Sequence, residues 1–200
     1  MTTLLLATRN QGKKREMENF LLNGSLKVRL LSLAEIDVAD DVSESGATFL
    51  DNARLKADFY SKFTGLDTLG DDSGLEVMAL GGRPGVLSAR YAGEGAGDEA
   101  RLNKLLDEMK DITDRRARFV SAVCISRGGS PHASFTGEVE GEILFGKRGG
   151  GGFGYDPLFL YPPLGKTFAE LTLEEKNRVS HRARALEQAK KFLLLGGLAP

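Results

Sequence analysis

The stretch Thr3-Leu4-Leu5-Leu6-Ala7-Thr8-Arg9-Asn10-Gln11-Gly12-Lys13-Lys14-Arg15 runs, within thirteen residues, from an apolar segment through a polar loop into a basic one. Thr3 to Ala7 reads as a buried strand, and the spacing predicts a helix from about Lys13 to Leu22. A buried strand that enters a helix through a short polar loop is the opening unit of an α/β fold. Downstream, Thr48 to Phe63 is a second predicted helix, with Phe49, Ala53, Ala57 and Tyr60 on roughly one face. Asp98 is the expected N-cap of a third, whose Leu102, Leu105, Leu106 and Met109 follow helical spacing. Phe119 to Ile125 reads as a core strand. In Ser134 to Ile143, apolar Phe135, Val139 and Ile143 alternate with Thr136, Glu138, Glu140 and Glu142, the pattern of a half-solvated antiparallel strand. Thr172-Leu173-Glu174-Glu175 matches a capping box, which opens a helix leading to Ser180-His181-Arg182. A last amphipathic helix carries Leu186, Ala189 and Leu193 and stops at Gly196-Gly197. Together these elements describe an α/β protein with a mixed sheet.

With 200 residues and 41% apolar content the chain suits one globular domain. A formal net charge of −1 argues against a general nucleic-acid binder, which needs a basic face. The single cysteine, Cys124, excludes an internal disulfide, fits a reducing compartment and falls in the predicted core strand. No apolar run reaches the length of a membrane span, and Leu4-Leu5-Leu6-Ala7 is too short for a signal segment. A cytoplasmic protein is expected.

Several segments ask for an anionic ligand. The loop Thr8 to Lys13 leads into a helix N-terminus through Gly12, a natural anion site. Lys13, Lys14 and Arg15 oppose the helix dipole there, which is unfavourable unless an anion is present. The segment is not a P-loop, because Lys14 stands where that motif needs Ser or Thr. Gly70-Asp71-Asp72-Ser73-Gly74-Leu75 reads as a turn between apolar segments. Its adjacent carboxylates repel each other, a cost that makes sense where a cation or proton is handled. Glu44 precedes the second helix, on which Asn52 and Lys56 lie four residues apart on one face. The glycine cluster Gly149 to Gly154 runs into Phe153-Gly154-Tyr155-Asp156, where an aromatic ring is available to stack on a base. Lys176, His181 and Arg182 form a set of hydrogen-bond donors. His132, after Pro131, reads as an ordinary turn residue.

Taken in order, these segments resemble the inosine triphosphate pyrophosphatase family. The likeness runs from Leu4 to Leu186 and rests on Ala7 to Lys13, Glu44-Ser45-Gly46-Ala47-Thr48-Phe49, Asp71-Asp72-Ser73-Gly74-Leu75, Pro84 to Tyr91, Gly152 to Pro157 and Ser180-His181-Arg182. Departures are Arg9, where the family often has glycine, and Ser43, where some members carry a second acid. The resemblance implies an elongated two-lobed α/β fold with a central mixed β-sheet flanked by helices, an active-site cleft between the lobes, and residues 1–200 forming one catalytic domain. It implies a homodimer that hydrolyses the α–β bond of ITP, dITP and XTP with Mg2+, giving the monophosphate and pyrophosphate. It assigns Asp72 as general base, and Glu44 and Asp72 as metal ligands. Thr8, Arg9, Asn10, Gln11, Gly12, Lys13 and Ser73 fall to phosphate and sugar. Phe153, Gly154, Tyr155, Asp156, Lys176, His181 and Arg182 fall to the nucleoside.

On this basis Lys13 and Lys56 stabilise the leaving pyrophosphate, and Asp72 deprotonates the attacking water. Asp71 raises the Asp72 pKa by repulsion whereas Mg2+ lowers it. Donors from His181, Arg182 and Lys176 to O6 and N7 would favour a 6-oxopurine over adenine. A Maf-like nucleotide pyrophosphatase is the nearest rival, opposed by Phe153 to Asp156 and by Ser180 to Arg182. A nucleotide-sensing module without hydrolysis is opposed by Asp71 and Asp72.

Overall fold

The chain is described by a computed structural model that covers residues 2–24, 26–36, 38 and 42–198. Strand β1 (Thr2–Ala7) is followed by helix α1 (Gln11–Leu22) and strand β2 (Val28–Ser32). Helix α2 (Phe49–Thr64) then leads to strand β3 (Asp67–Val77). Both crossovers return parallel to β1: Leu6 is in register with Ser32 of β2 and with Leu69 of β3. Parallel strands need such crossovers, and their apolar runs are buried on both faces; Leu4, Leu5 and Leu6 are fully buried.

Helix α3 (Asp98–Glu108) precedes strands β4 (Arg116–Arg127) and β5 (Ser130–Ile143). The short strands β6 (Phe159–Tyr161) and β7 (Lys166–Thr167) and the helices α4 (Leu173–Val179) and α5 (His181–Leu194) complete the order. The sheet runs β2-β1-β3-β4-β5-β6-β7, and β5, β6 and β7 pair antiparallel, so it is mixed. The alternation in β5 is as expected, with Glu138, Glu140 and Glu142 exposed and Val139 and Ile143 buried.

Two compact units share the chain. The first comprises Met1–Asp72, Ser121–Gly137 and His181–Pro200, the second Ser73–Val120 and Glu138–Ser180. In the first, Leu4, Leu6, Met17, Leu21, Leu69, Val123, Ile125, Leu186 and Ala189 form one cluster, and Leu5, Ala7, Leu33, Val38 and Tyr60 form another. The second is built on Leu75, Val77, Leu102, Leu105, Met109, Phe119, Phe159 and Phe168. Among the described residues no helix is long and apolar enough to cross a membrane.

Three expectations are corrected. Gly70 to Leu75 is not a turn but the middle of β3, because Gly70 pairs with Ala7 while Leu69, Leu75 and Val77 are buried. Gly70 is also where helix α2 presses on the strand: a Cβ there would stand 2.2 Å from the Ala53 carbonyl oxygen. Asp98 is not the N-cap of α3, a place taken by Gly97. Its carboxylate is drawn instead to Arg101 and to the Gly154 amide. His132 lies in β5 rather than in a turn, with its ring edge-on to Phe192 and its Nε2 at 2.8 Å from the Gly197 carbonyl oxygen.

Candidate active site

The β1–β3 pairing places Ala7 beside Gly70, so the loop Thr8 to Asn10 and the carboxylates of Asp71 and Asp72 follow from neighbouring parallel strands. Beyond the carboxyl ends of such strands is where open α/β sheets bind ligands. Asn10 caps α1 by accepting from the Lys13 amide at 3.0 Å, while its own amide donates to Thr8 Oγ1 at 3.2 Å. The capped turn points Lys13 at the acidic pair, with Nζ 2.9 Å from Asp71 Oδ2 and 3.9 Å from Asp72 Oδ1. The anion that offsets the helix dipole at Lys13 is therefore the chain's own Asp71, while Lys14 pairs with Glu18 and Glu35.

The second approach is from α2, whose start is fixed by a reciprocal capping box between Thr48 and Asp51. One turn on, Asn52 Nδ2 donates to Asp72 Oδ2 at 3.1 Å. Lys56, on the same face, lies 3.6 Å from Asp72 Oδ1 and donates to Glu44 Oε1 at 2.6 Å. From α5, Arg182 pairs through Nη1 with Glu16 of α1 and approaches Asp71 Oδ1 at 3.4 Å through Nε. Ser121 of β4 donates to the same Asp71 oxygen at 2.8 Å.

These surroundings separate the two aspartates. Burial alone would raise Asp71, but Lys13 and Arg182 outweigh it and hold the carboxyl far below the usual range, so Asp71 is a fixed negative charge. Burial pushes Asp72 up. Lys13 and Lys56 pull it back, Glu44 adds to the rise, and burial prevails, leaving Asp72 the more basic of the two. Glu44 is thus one neighbour whose charge raises Asp72. Burial would lower Lys56, but Asp72 and Glu44 raise it, so it stays an ammonium ion. Such a pair of carboxylates with different basicities can handle a proton at one and hold charge at the other.

The second unit carries an aromatic platform. Asp156 is buried and accepts from the Phe153 amide at 2.9 Å. Lys176, also buried, donates to the same carboxylate at 2.5 Å, and its Nζ stands 4.9 Å from the centroid of the Phe153 ring. One ion pair therefore fixes both the backbone and the ring of Phe153. Gly154 donates to Asp98 Oδ2 at 2.6 Å, and Tyr155 donates through its hydroxyl to the Ser88 carbonyl at 3.0 Å. Ser88 Oγ in turn accepts from the Leu75 amide at 2.9 Å, which ties the Pro84-to-Tyr91 motif to β3.

Of the expected site residues, Lys13, Glu44, Lys56, Asp72 and Arg182 meet in the first unit, and Phe153, Gly154, Asp156 and Lys176 meet in the second. Tyr155 is buried beside them, with burial as the largest cause of a raised phenol pKa. Ser73 follows Asp72 in β3, and His181 is buried at the first position of α5. Arg9, Gln11 and Gly12 belong to the loop and first turn of α1, and the Arg9 guanidinium donates to the Val38 carbonyl at 2.7 Å. Glu16, Ser121 and Asp98 join these networks with no local motif to assign them there, whereas Ser88 falls in the Pro84-to-Tyr91 motif and Asn52 carries a signal, its spacing from Lys56 on one helix face. Among the described residues no three Asp, Glu, His or Cys side chains gather into a metal cage. Glu44 and Asp72 are nevertheless close enough to share one cation, here the Lys56 ammonium.

The Ham1 family model matches residues 4–192. A curated dITP/XTP pyrophosphatase of Geobacter sulfurreducens is 49% identical over 195 residues, covering 96% of this chain and 97% of that protein. Its counterpart from Thermus thermophilus is 51% identical over 185 residues, covering 92% and 87%. Among solved structures, the Ham1 protein of Coxiella burnetii superposes with a TM-score of 0.87 at 41% identity, over 97% of this chain and 99% of that one. The Ham1 protein of Staphylococcus aureus gives 0.84 at 41% identity, over 96% and 98%. With a match across nearly its whole length and relatives at about half identity, the chain belongs to the Ham1 family.

Proposed function

We propose that the protein hydrolyses dITP, XTP and ITP to the nucleoside monophosphate and pyrophosphate, with Mg2+ as cofactor, and so clears these nucleotides from the nucleotide pool. The observation that carries this is the convergence of Lys13, Lys56, Glu44 and Asp72 just past the end of the parallel pairing of β1 with β3, where cations for phosphate and carboxylates for a metal and a proton stand together. The relatives named dITP/XTP pyrophosphatase support the substrate class.

The donor set fits Mg2+. Glu44 Oε1 and Asp72 Oδ1 both approach the Lys56 ammonium, at 2.6 and 3.6 Å, so two hard oxygens are already disposed around a single cation. Mg2+ is commonly held by one or two carboxylates, with waters and substrate phosphates completing its shell. Bound by Glu44 and Asp72, it supplies charge neutralisation at the phosphate oxygens. Lys13 and Lys56 offset the charge that develops on the departing pyrophosphate, since phosphoryl transfer depends mainly on positioning and electrostatics. Asp72 orients the attacking water and takes its proton, while Asp71 stays charged and holds Lys13 in place. Thr8 through Gly12, with the amides of the first turn of α1, and Ser73 receive phosphate and sugar. Phe153 stacks on the base, held by Asp156 and Lys176, with Gly154 and Tyr155 shaping the loop, and donors at His181 and Arg182 govern base choice. Residues 1–200 act as one catalytic domain of two lobes, a homodimer working in the cytoplasm.

Release of pyrophosphate and monophosphate from ITP, XTP, dITP, ATP, GTP, CTP and UTP, with and without Mg2+, tests the proposal. Mg2+-dependent release confined to the first three substrates is expected. Release of inorganic phosphate instead, or equal rates across all seven, overturns it.

A further inference from the structure

Asn52 is fully buried, and both ends of its amide are used. Its Oδ1 accepts from the Gly46 amide at 2.7 Å, and its Nδ2 donates to Asp72 Oδ2 at 3.1 Å. The orientation of the amide is forced, because a backbone N–H only donates and a carboxylate only accepts. Gly46 lies two residues beyond Glu44, so one side chain joins the segment that carries one carboxylate to the other carboxylate itself.

The same helix face then divides the work at Asp72. Asn52 takes Oδ2 and Lys56, four residues later, faces Oδ1. The amide is neutral, so it fixes the carboxylate without cancelling its charge, as a second ammonium would. The contact is also tight on the other side. A Cβ at Gly46 would stand 2.6 Å from Asn52 Oδ1, so glycine at this position is what lets the loop close onto the amide. The capping box at Thr48 and Asp51 anchors the turn from which Asn52 projects, so the amide has little freedom to follow its partners if they move.

We infer that Asn52 is a positioning residue that sets the Glu44 segment and Asp72 at the separation one divalent cation requires, an inference that rests on the proposed function above. Such outer partners of metal ligands typically change metal affinity or activity by about 10–100-fold when removed.

The test compares the wild type with Asn52→Ser and Asn52→Leu in the full chain. Asn52→Ser is neutral and too short to span from the Gly46 amide to Asp72, so it removes the bridge without burying a second carboxylate beside Asp72 and serves if Asn52→Leu does not fold. Free Mn2+ is followed by electron paramagnetic resonance in the presence of a nonhydrolysable α,β-methylene analogue of dITP. Turnover of dITP and the melting temperature are measured in parallel. Mn2+ affinity and kcat are expected to fall by about 10–100-fold in Asn52→Ser, with KM for dITP within about threefold of wild type. A merely structural role would lower the melting temperature while leaving Mn2+ affinity and kcat of the folded protein unchanged, and that result overturns the inference. If the wild type binds Mn2+ and the analogue but releases no pyrophosphate, the proposed function fails and the Mn2+ measurement alone decides the role of Asn52. A wild type that binds no Mn2+ overturns both.

Discussion

Replacing Lys176 with Met isolates the charge that holds the aromatic platform. Methionine keeps an unbranched stem against Phe153 and Phe168, over whose rings the ammonium lies at 4.9 and 5.5 Å. What is lost is the ion pair with Asp156, whose side chains are only 4% and 3% exposed, so water does little to screen the carboxylate left behind. Removing one partner of a buried pair costs about 3–5 kcal/mol. At about 2–4 °C per kcal/mol for a chain of this size, the melting temperature should fall by about 6–20 °C. Asp156→Asn should be costly for the same reason, since it strands a buried ammonium. The double variant should recover much of the loss, because a neutral buried pair of similar volume is often no less stable than an ionic one. Calorimetry on the four proteins of this cycle measures the coupling. A Lys176→Met melting temperature within about 3 °C of wild type, or strictly additive losses in the double variant, would refute the idea that this pair secures the Phe153 loop.

Gly70→Ala should destabilise by more than the ~1–3 kcal/mol of ordinary overpacking, because its Cβ would meet the Ala53 carbonyl at 2.2 Å and the Ala57 amide at 2.9 Å. A urea midpoint equal to wild type would contradict that. Asp98→Ala removes the acceptor for the Gly154 amide, a bond of the charged kind worth about 1.5–3 kcal/mol, and should lower kcat/KM for dITP by about tenfold or more. Asp98→Asn keeps an acceptor and should lose less; equal losses in the two variants would show that the bond to Gly154 is not what matters.

The elements were legible where periodicity and burial agree. Leu4 to Leu6, buried on both faces of β1, the α2 face of Phe49, Ala53, Ala57 and Tyr60, and the alternation of β5 each fit one environment, and the helices and strands lie where those patterns put them. The Gly70-to-Leu75 segment misled because Asp-Asp-Ser-Gly has turn composition, while pairing with β1 and burial of Leu69 and Leu75 are tertiary effects that override it. Asp98 was misplaced for a similar reason, since its carboxylate serves a loop 56 residues away. The convergence of Asn52 and Lys56 on Asp72 was half visible in their i, i+4 spacing. Nothing local connects Glu16 to Arg182, 166 residues on, or Asp71 to Ser121. The dipole conflict at Lys13 announced an anion correctly without revealing that the chain provides one itself in Asp71.

The most direct test of the central claim is the rate of pyrophosphate release from dITP by the wild type and by Asp72→Asn at saturating Mg2+. The substitution preserves the side-chain shape, while it removes the more basic member of the aspartate pair and one of the two carboxylates disposed to share a cation. Loss of a general base alone typically costs about 10²–10⁴-fold, so kcat should fall at least that far while nucleotide binding stays measurable. A variant within about threefold of the wild-type kcat, on the same general-base scale, would contradict the role assigned to Asp72 and with it the mechanism built on this site.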